Sequence, residues 1–242
     1  MNRALFAAAS GMAAQQQNLE TIAQNLSNAQ VAGFKGAAAS FTDIASPAGG
    51  SIGTAFTGNH TVFTQGRLVH GGGPFDLAIE GAGFFAVLDN KGRRAYTRDG
   101  EFSRASDGSL QNAQGLRLEG IRIPENALSA TVAEDGTVTA IAAKGKIACG
   151  RIHLWGFPAP ESLQSIGGTL FFATHASGKP HHLDSGMAGE PAIRFGMLEQ
   201  SNVSIIESMM EILGAQRAYE ANAKGVQAAD EMMRIADNLA RG

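Results

Sequence analysis

His175, His181, His182 and Asp184 crowd into one short stretch, and imidazoles with a carboxylate are the ligand set of zinc. In an extended chain adjacent His181 and His182 would point to opposite faces, and Gly178 and Pro180 interrupt the segment, so a solvated loop is expected there. His60, His70 and His153 are scattered. Gly81-Ala82-Gly83 follows a strand-like run as a dinucleotide fingerprint would. The next residues, Phe84 to Leu88, read as another strand where a pyrophosphate needs a helix N-terminus. Ser177-Gly178-Lys179-Pro180 carries proline where a P-loop needs a hydroxyl. Cys149 is the single cysteine, which excludes an intramolecular disulfide and a multi-thiolate metal site. Between Ala148 and Gly150 it reads as a buried small side chain. Glu134 and Asp135 read as turn residues, and no Gly-x-Ser-x-Gly elbow accompanies a histidine base. The expectation is a protein without catalytic residues, cofactor or metal.

The elements that carry these residues differ sharply along the chain. All seven prolines and 25 of the 31 glycines lie between residues 46 and 196. Proline and glycine interrupt helices, so two helical flanks should enclose a turn-rich β region. In the first flank Leu5, Met12, Leu19 and Leu26 recur every seven residues, joined by Ile22. That helix should end near Asn28, with Gly33 in a conformation a β-carbon would hinder. In the last flank Leu198, Ile205, Ile212, Tyr219, Val226 and Met233 form a second seven-residue series. Two such seams predict helices that pair as a coiled coil. Ser204 and Glu207 have the spacing of a capping box, and Glu220–Lys224, Asp230–Arg234 and Asp237–Arg241 are i,i+4 pairs with the acid first. The middle alternates strand-like runs, Asp76–Ile79, Phe84–Leu88 and Arg94–Thr97, with turns at Asp107-Gly108 and Asp135-Gly136. The fold class is therefore α+β, divided as an N-terminal helix and connector (1–45), a central antiparallel β-rich domain (46–196) and a C-terminal helix (197–242).

Composition narrows the function class. With 19 basic and 22 acidic residues the net charge is −3, which argues against a nucleic-acid partner. Arg3 before Ala4-Leu5-Phe6-Ala7-Ala8-Ala9 could open a signal peptide, but Ser10 and Gly11 interrupt the run and helical periodicity continues through Gln15-Gln16-Gln17. That stretch reads as mature protein and is too polar to span a bilayer, so no transmembrane segment is expected.

The residues at both ends and in the middle resemble one family. Asn25-Leu26-Ser27-Asn28-Ala29 with Gly33-Phe34-Lys35, then Asp76-Leu77-Ala78-Ile79-Glu80-Gly81, Tyr96-Thr97-Arg98-Asp99-Gly100, Leu198-Glu199-Gln200-Ser201-Asn202-Val203 and Gln216-Arg217-Ala218-Tyr219-Glu220 are similar to motifs of the bacterial flagellar rod and hook family of axial proteins. The resemblance implies a structural subunit that self-assembles as a helical homo-oligomer in the basal body, within the periplasmic part of the axial structure. Its partners would be copies of itself, other rod and hook proteins, and the flagellar type III export apparatus, which needs no cleaved signal peptide. Distal and proximal positions along such a rod stay open: Ser10–Gln16 and Ile123–Ser129 favour the first, and the shortness of Phe41–Gly66 keeps the second. The expected assembly interface comprises Leu5, Met12, Leu19, Ile22, Leu26, Asn28, Gly33, Phe34, Ile205, Ile212, Tyr219, Val226 and Met233. Gly33→Ala is expected to melt near wild type while disturbing assembly. The alternative is a secreted β-rich enzyme or carbohydrate-binding module, which would need the first ~15 residues removed as a leader.

Overall fold

The computed structural model describes residues 3–45, 51–89, 91–143, 145–187 and 189–241. They form two compact units, each assembled from non-contiguous pieces of chain. One contains Met1–Ser27, Ala37–Val62 and Val203–Gly242, and the other Asn28–Gly36 and Phe63–Asn202.

The first unit is two helices and a hairpin. Helix α1 spans Arg3–Ser27 and α2 spans Ile205–Arg241, and neither contains proline. At 37 residues α2 is about 55 Å long. Ser204 caps it, its Oγ accepting the Glu207 N–H at 3.3 Å. Strands β1 (Ala37–Ala45) and β2 (Ser51–Thr61) pair antiparallel, and α1 packs against both this hairpin and α2. The helices run antiparallel and approach closely at small residues. A β-carbon on Gly11 would lie 2.8 Å from Asn222 Nδ2, and one on Gly225 would lie 3.7 Å from Ala8 Cβ.

Burial along α2 distinguishes two sides of the helix within this chain. The positions most enclosed are Ser208, Ala215 and Ala229, with Asn222 half-buried between them. Ile205, Tyr219 and Met233 remain about 40% exposed, at 40%, 41% and 37%. The two seven-residue series interleave, so the small and polar members occupy the crowded side and the large ones flank it. Leu198 leaves the helical series altogether because it lies in a strand. Arg234 pairs with Glu231 at 3.2 Å rather than with Asp230, and no ion pair joins Glu220 to Lys224 among the described residues. The Asp237 side chain lies outside the described residues.

The second unit is antiparallel β structure. Its first strands are β3 (Leu68–His70), β4 (Phe75–Glu80), β5 (Phe84–Leu88), β6 (Arg94–Thr97), β7 (Glu101–Arg104), β8 (Leu110–Gln111) and β9 (Arg117–Leu118). Then come β10 (Ala127–Val132), β11 (Thr137–Ala142), β12 (Gly145–Arg151), β13 (Leu154–Gly156) and β14 (Gln164–Ser165). The last are β15 (Leu170–Phe172), β16 (His181–Leu183), β17 (Ala192–Phe195) and β18 (Met197–Glu199). The main sheet runs β14-β15-β6-β5-β9-β8-β7-β4-β17, with β13 joining β5 to β16, while β10-β11-β12 and β3-β18 form smaller sheets.

Strand β5 shows why its sequence is an unbroken apolar run. Phe85 and Val87 enter one core with Leu77, Ile79, Leu154 and Ile193, and Phe84 and Ala86 enter a second with Tyr96, Phe157 and Phe171. A strand covered on both faces has no polar side to display. Two local expectations are corrected here. His181 and His182 form strand β16 on β13 rather than a loop, and Cys149 is only partly buried because β12 is an outer strand of its sheet.

Candidate functional site

The residues expected to act in assembly fall into both units. On α1, Ile22 is buried at 4% exposure, and Leu5, Met12, Leu19 and Leu26 are half-buried. On α2, Ile212 and Val226 are half-buried beside the more exposed Ile205, Tyr219 and Met233. Asn28, Gly33 and Phe34 belong to the second unit, where Asn28 O accepts the Val31 N–H at 3.1 Å.

On α1 a line of polar side chains fastens the β1–β2 hairpin. Ser10 Oγ accepts the Thr54 N–H at 3.2 Å, and Thr21 Oγ1 lies 3.0 Å from Asn59 Oδ1. Asn25 meets both halves of the Ala37 backbone: Nδ2 donates to the carbonyl at 2.7 Å and Oδ1 accepts the N–H at 2.8 Å. Its side-chain amide substitutes for a strand neighbour at the start of β1, which explains an asparagine at the head of the Asn-Leu-Ser-Asn motif.

Within the second unit three motifs distant in sequence converge on one buried carboxylate. Lys35 Nζ lies 2.6 Å from Glu199 Oε1, and Arg98 NH1 lies 3.2 Å from Glu199 Oε2. Gly66 adds its N–H to Oε1 at 2.8 Å, and the Glu199 backbone carbonyl accepts the Gly33 N–H at 2.7 Å. Lys35 and Arg98 also bind backbone carbonyls, Thr64 at 2.7 Å and Gly81 at 2.7 Å. Nearby, Asn202 Oδ1 accepts the Gly36 N–H at 2.8 Å and Nδ2 donates to Thr64 Oγ1 at 2.9 Å. Burial holds the Lys35 ammonium below its ordinary value, against the pull of Glu199 and helped by the neighbouring Arg98 charge. Burial likewise lowers Arg98.

This arrangement fastens chain to chain. The Lys35 and Glu199 side chains have no exposure to solvent, so neither can receive a substrate. Among the described residues no three His, Cys, Asp or Glu side chains gather as a metal site, and no helix is long and apolar enough to cross a membrane.

Gly33 sits at the centre of the convergence with φ +67, and a β-carbon there would lie 2.3 Å from the Asp99 backbone nitrogen. The positive φ agrees with the expected turn. The obstacle to a β-carbon is backbone, which argues for a cost in stability beside any effect on assembly. Spacing arguments missed the Lys35–Arg98–Glu199 cluster, since no fixed interval relates its members. The available signal was an isolated charge in each apolar or glycine-rich setting, Phe34-Lys35-Gly36 and Leu198-Glu199.

Three family profiles match the chain in order. Residues 5–35 match that described as flagella basal body rod protein, residues 78–140 the flagellar hook protein FlgE/F/G D1 domain, and residues 195–239 the flagellar basal body rod FlgEFG protein C-terminal. The flagellar basal-body rod protein FlgG of Borreliella burgdorferi is 39% identical over 264 residues, with 100% of each chain covered. FlgG of Agrobacterium fabrum is 34% identical, covering 96% of this chain and 97% of its own. Among solved structures, the flagellar hook protein FlgE2 of Helicobacter pylori overlaps 69% of this chain and 34% of its own at 17% identity. Its TM-score of 0.27 is too low to carry a statement about the fold.

Proposed function

The chain belongs to the flagellar basal-body rod family, and we propose that it is a distal-rod subunit that polymerises through α1 and α2 into a tubular shaft. It is a structural subunit of the basal-body rod. In the proposed reading the two helices pair as a coiled coil and line the tube. The seam residues named above, with Asn28, Gly33 and Phe34, set the geometry of the contact. The subunit has no catalytic role, leaves the cell through the flagellar export apparatus without a cleaved signal, and meets other rod and hook proteins at the ends of its own stack.

The observation that carries this reading is the apolar surface α2 keeps after packing on α1. Ile206 is 73% exposed, Met209 54%, Met210 67% and Leu213 55%. Four large apolar side chains on adjacent turns at such exposure are characteristic of a surface awaiting a partner, and a helical homopolymer covers such a face with a copy of itself. The distal position is supported by full-length likeness to FlgG proteins and by the Ser10–Gln16 and Ile123–Ser129 stretches.

The test is complementation. Expression in a strain deleted for its distal-rod subunit should restore rods and motility. Restoration only in a proximal-rod deletion would overturn the distal assignment, and monodisperse protein without tubes at high concentration would count against self-assembly.

A further inference from the structure

An open cleft of about 240 Å³ lies in the second unit, walled by Phe63, Gln65, Phe84 and Pro160, with Gly81 and Ala82 exposed at its edge. Phe63 and Phe84 meet edge to face, their centroids 5.2 Å apart at 84°. Gln65 uses both ends of its amide on the backbone, donating to the Ile79 carbonyl at 3.0 Å and accepting the Gly81 N–H at 3.0 Å. These walls are apolar or already satisfied.

Arg98 is the one charged residue lining the cleft. Its side chain keeps 5% exposure, where those of Lys35 and Glu199 have none. Its NH1 lies 3.2 Å from Glu199 Oε2 and its NH2 donates to the Gly81 carbonyl at 2.7 Å, while Nε has no hydrogen-bond partner among the described residues. The guanidinium carbon lies 5.6 Å from the Phe84 ring centroid.

Charge around this residue does not balance. Lys35 and Arg98 are two cations on one carboxylate, and Glu199 is the only acid ion-paired with either among the described residues. Buried charge is costly unless it is matched. The surplus of one positive charge meets open space where Arg98 borders the cleft, in surroundings that screen less than bulk water.

A carboxylate matches that surplus by charge and matches a guanidinium by its planar, two-oxygen geometry. The aromatic walls suit a short apolar or aromatic stem, which can make the edge-to-face contacts that Phe63 and Phe84 already make with each other. We propose that the Phe63–Phe84 cleft is a binding site for a carboxylate carried on a short apolar stem, with Arg98 as its charged contact.

The experiment titrates the full-length chain with phenylacetate at pH 7 and fixed ionic strength, following backbone amides by NMR. Phenylacetate should shift the Gly81, Ala82, Gly83 and Phe84 amides saturably. Phenylacetamide, which has the same ring without the charge, should bind at least about tenfold more weakly, the scale of one charge contact in a partly enclosed site. Arg98→Gln should bring the two probes to equal affinity, and Phe63→Ala should weaken both. A free small acid and an acidic side chain of a second copy both carry the proposed group. Saturating phenylacetate that blocks tube formation assigns it to the second copy, and tubes that form unchanged assign it to a free acid, with the binding result standing in both cases. Equal affinity of the two probes for the wild-type chain, shifts confined to other residues, or no saturable shift would each overturn the site, whether or not Arg98→Gln folds.

Discussion

The Lys35 ammonium lies 2.6 Å from a carboxylate oxygen of Glu199 across 164 residues of sequence, with both side chains closed to solvent. A buried ion pair adds little when intact but is expensive to break, because the orphaned charge keeps its desolvation cost. Glu199→Gln leaves both Lys35 and Arg98 without their carboxylate and should lower unfolding free energy by about 3–5 kcal/mol in a urea titration. Adding Lys35→Met to that variant should recover part of the loss, and a double variant no more stable than the single would show that the two charges are not coupled.

Two glycines make an opposed pair. Gly33→Ala drives a β-carbon against Asp99 backbone at φ +67 and should cost more than about 1 kcal/mol by thermal or urea unfolding. Gly214 lies within α2 with nothing within 4 Å of a β-carbon, so Gly214→Ala should stabilise by about 0.4–1 kcal/mol. Equal effects at the two positions would refute the reading of the Gly33 turn.

Asp99 makes stability depend on pH. Burial raises its carboxyl above the ordinary value, opposed by the hydrogen bond its Oδ1 accepts from the Glu101 N–H at 3.0 Å. The folded chain therefore holds this proton more tightly than the unfolded one. The resulting stabilisation is complete below the ordinary carboxylate value and fades as pH rises through the raised one. Asp99→Asn retains an acceptor without the charge, so it should be more stable than wild type at neutral pH. That advantage should shrink toward pH 3, as measured by unfolding free energy against pH.

The faces of α2 should separate folding from assembly. Ala215 is 5% exposed, and Ala215→Asp buries an unpaired charge that should cost several kcal/mol and unfold the helical unit, read by circular dichroism. Ile206 is 73% exposed, and Ile206→Asp should leave the melt within about 0.5 kcal/mol of wild type while abolishing tubes in electron micrographs. Normal tubes from Ile206→Asp would refute assembly through this face.

The sequence by itself determined the element types. Proline-free flanks with apolar residues every seven positions are helices wherever they pack, as α1 and α2 are, although α2 begins at Ile205 and Met197–Glu199 before it is a strand. The Phe84–Leu88 run and the Asp-Gly turns likewise determine local strands and reversals. Backbone sterics and side-chain period act over a few residues, so they are legible locally.

Tertiary structure alone decided which side of α2 is crowded, because that depends on where Gly11 and Ala8 lie on the opposing helix. It alone turned His181 and His182 into a strand, since the ring of Trp155 and the free edge of β13 come from elsewhere in the chain. It alone joined Lys35, Arg98 and Glu199. Their attraction arises from a shared water-excluded space that exists only once Gly33, Gly66 and the strands around them have closed over it, and no interval in the sequence encodes that proximity.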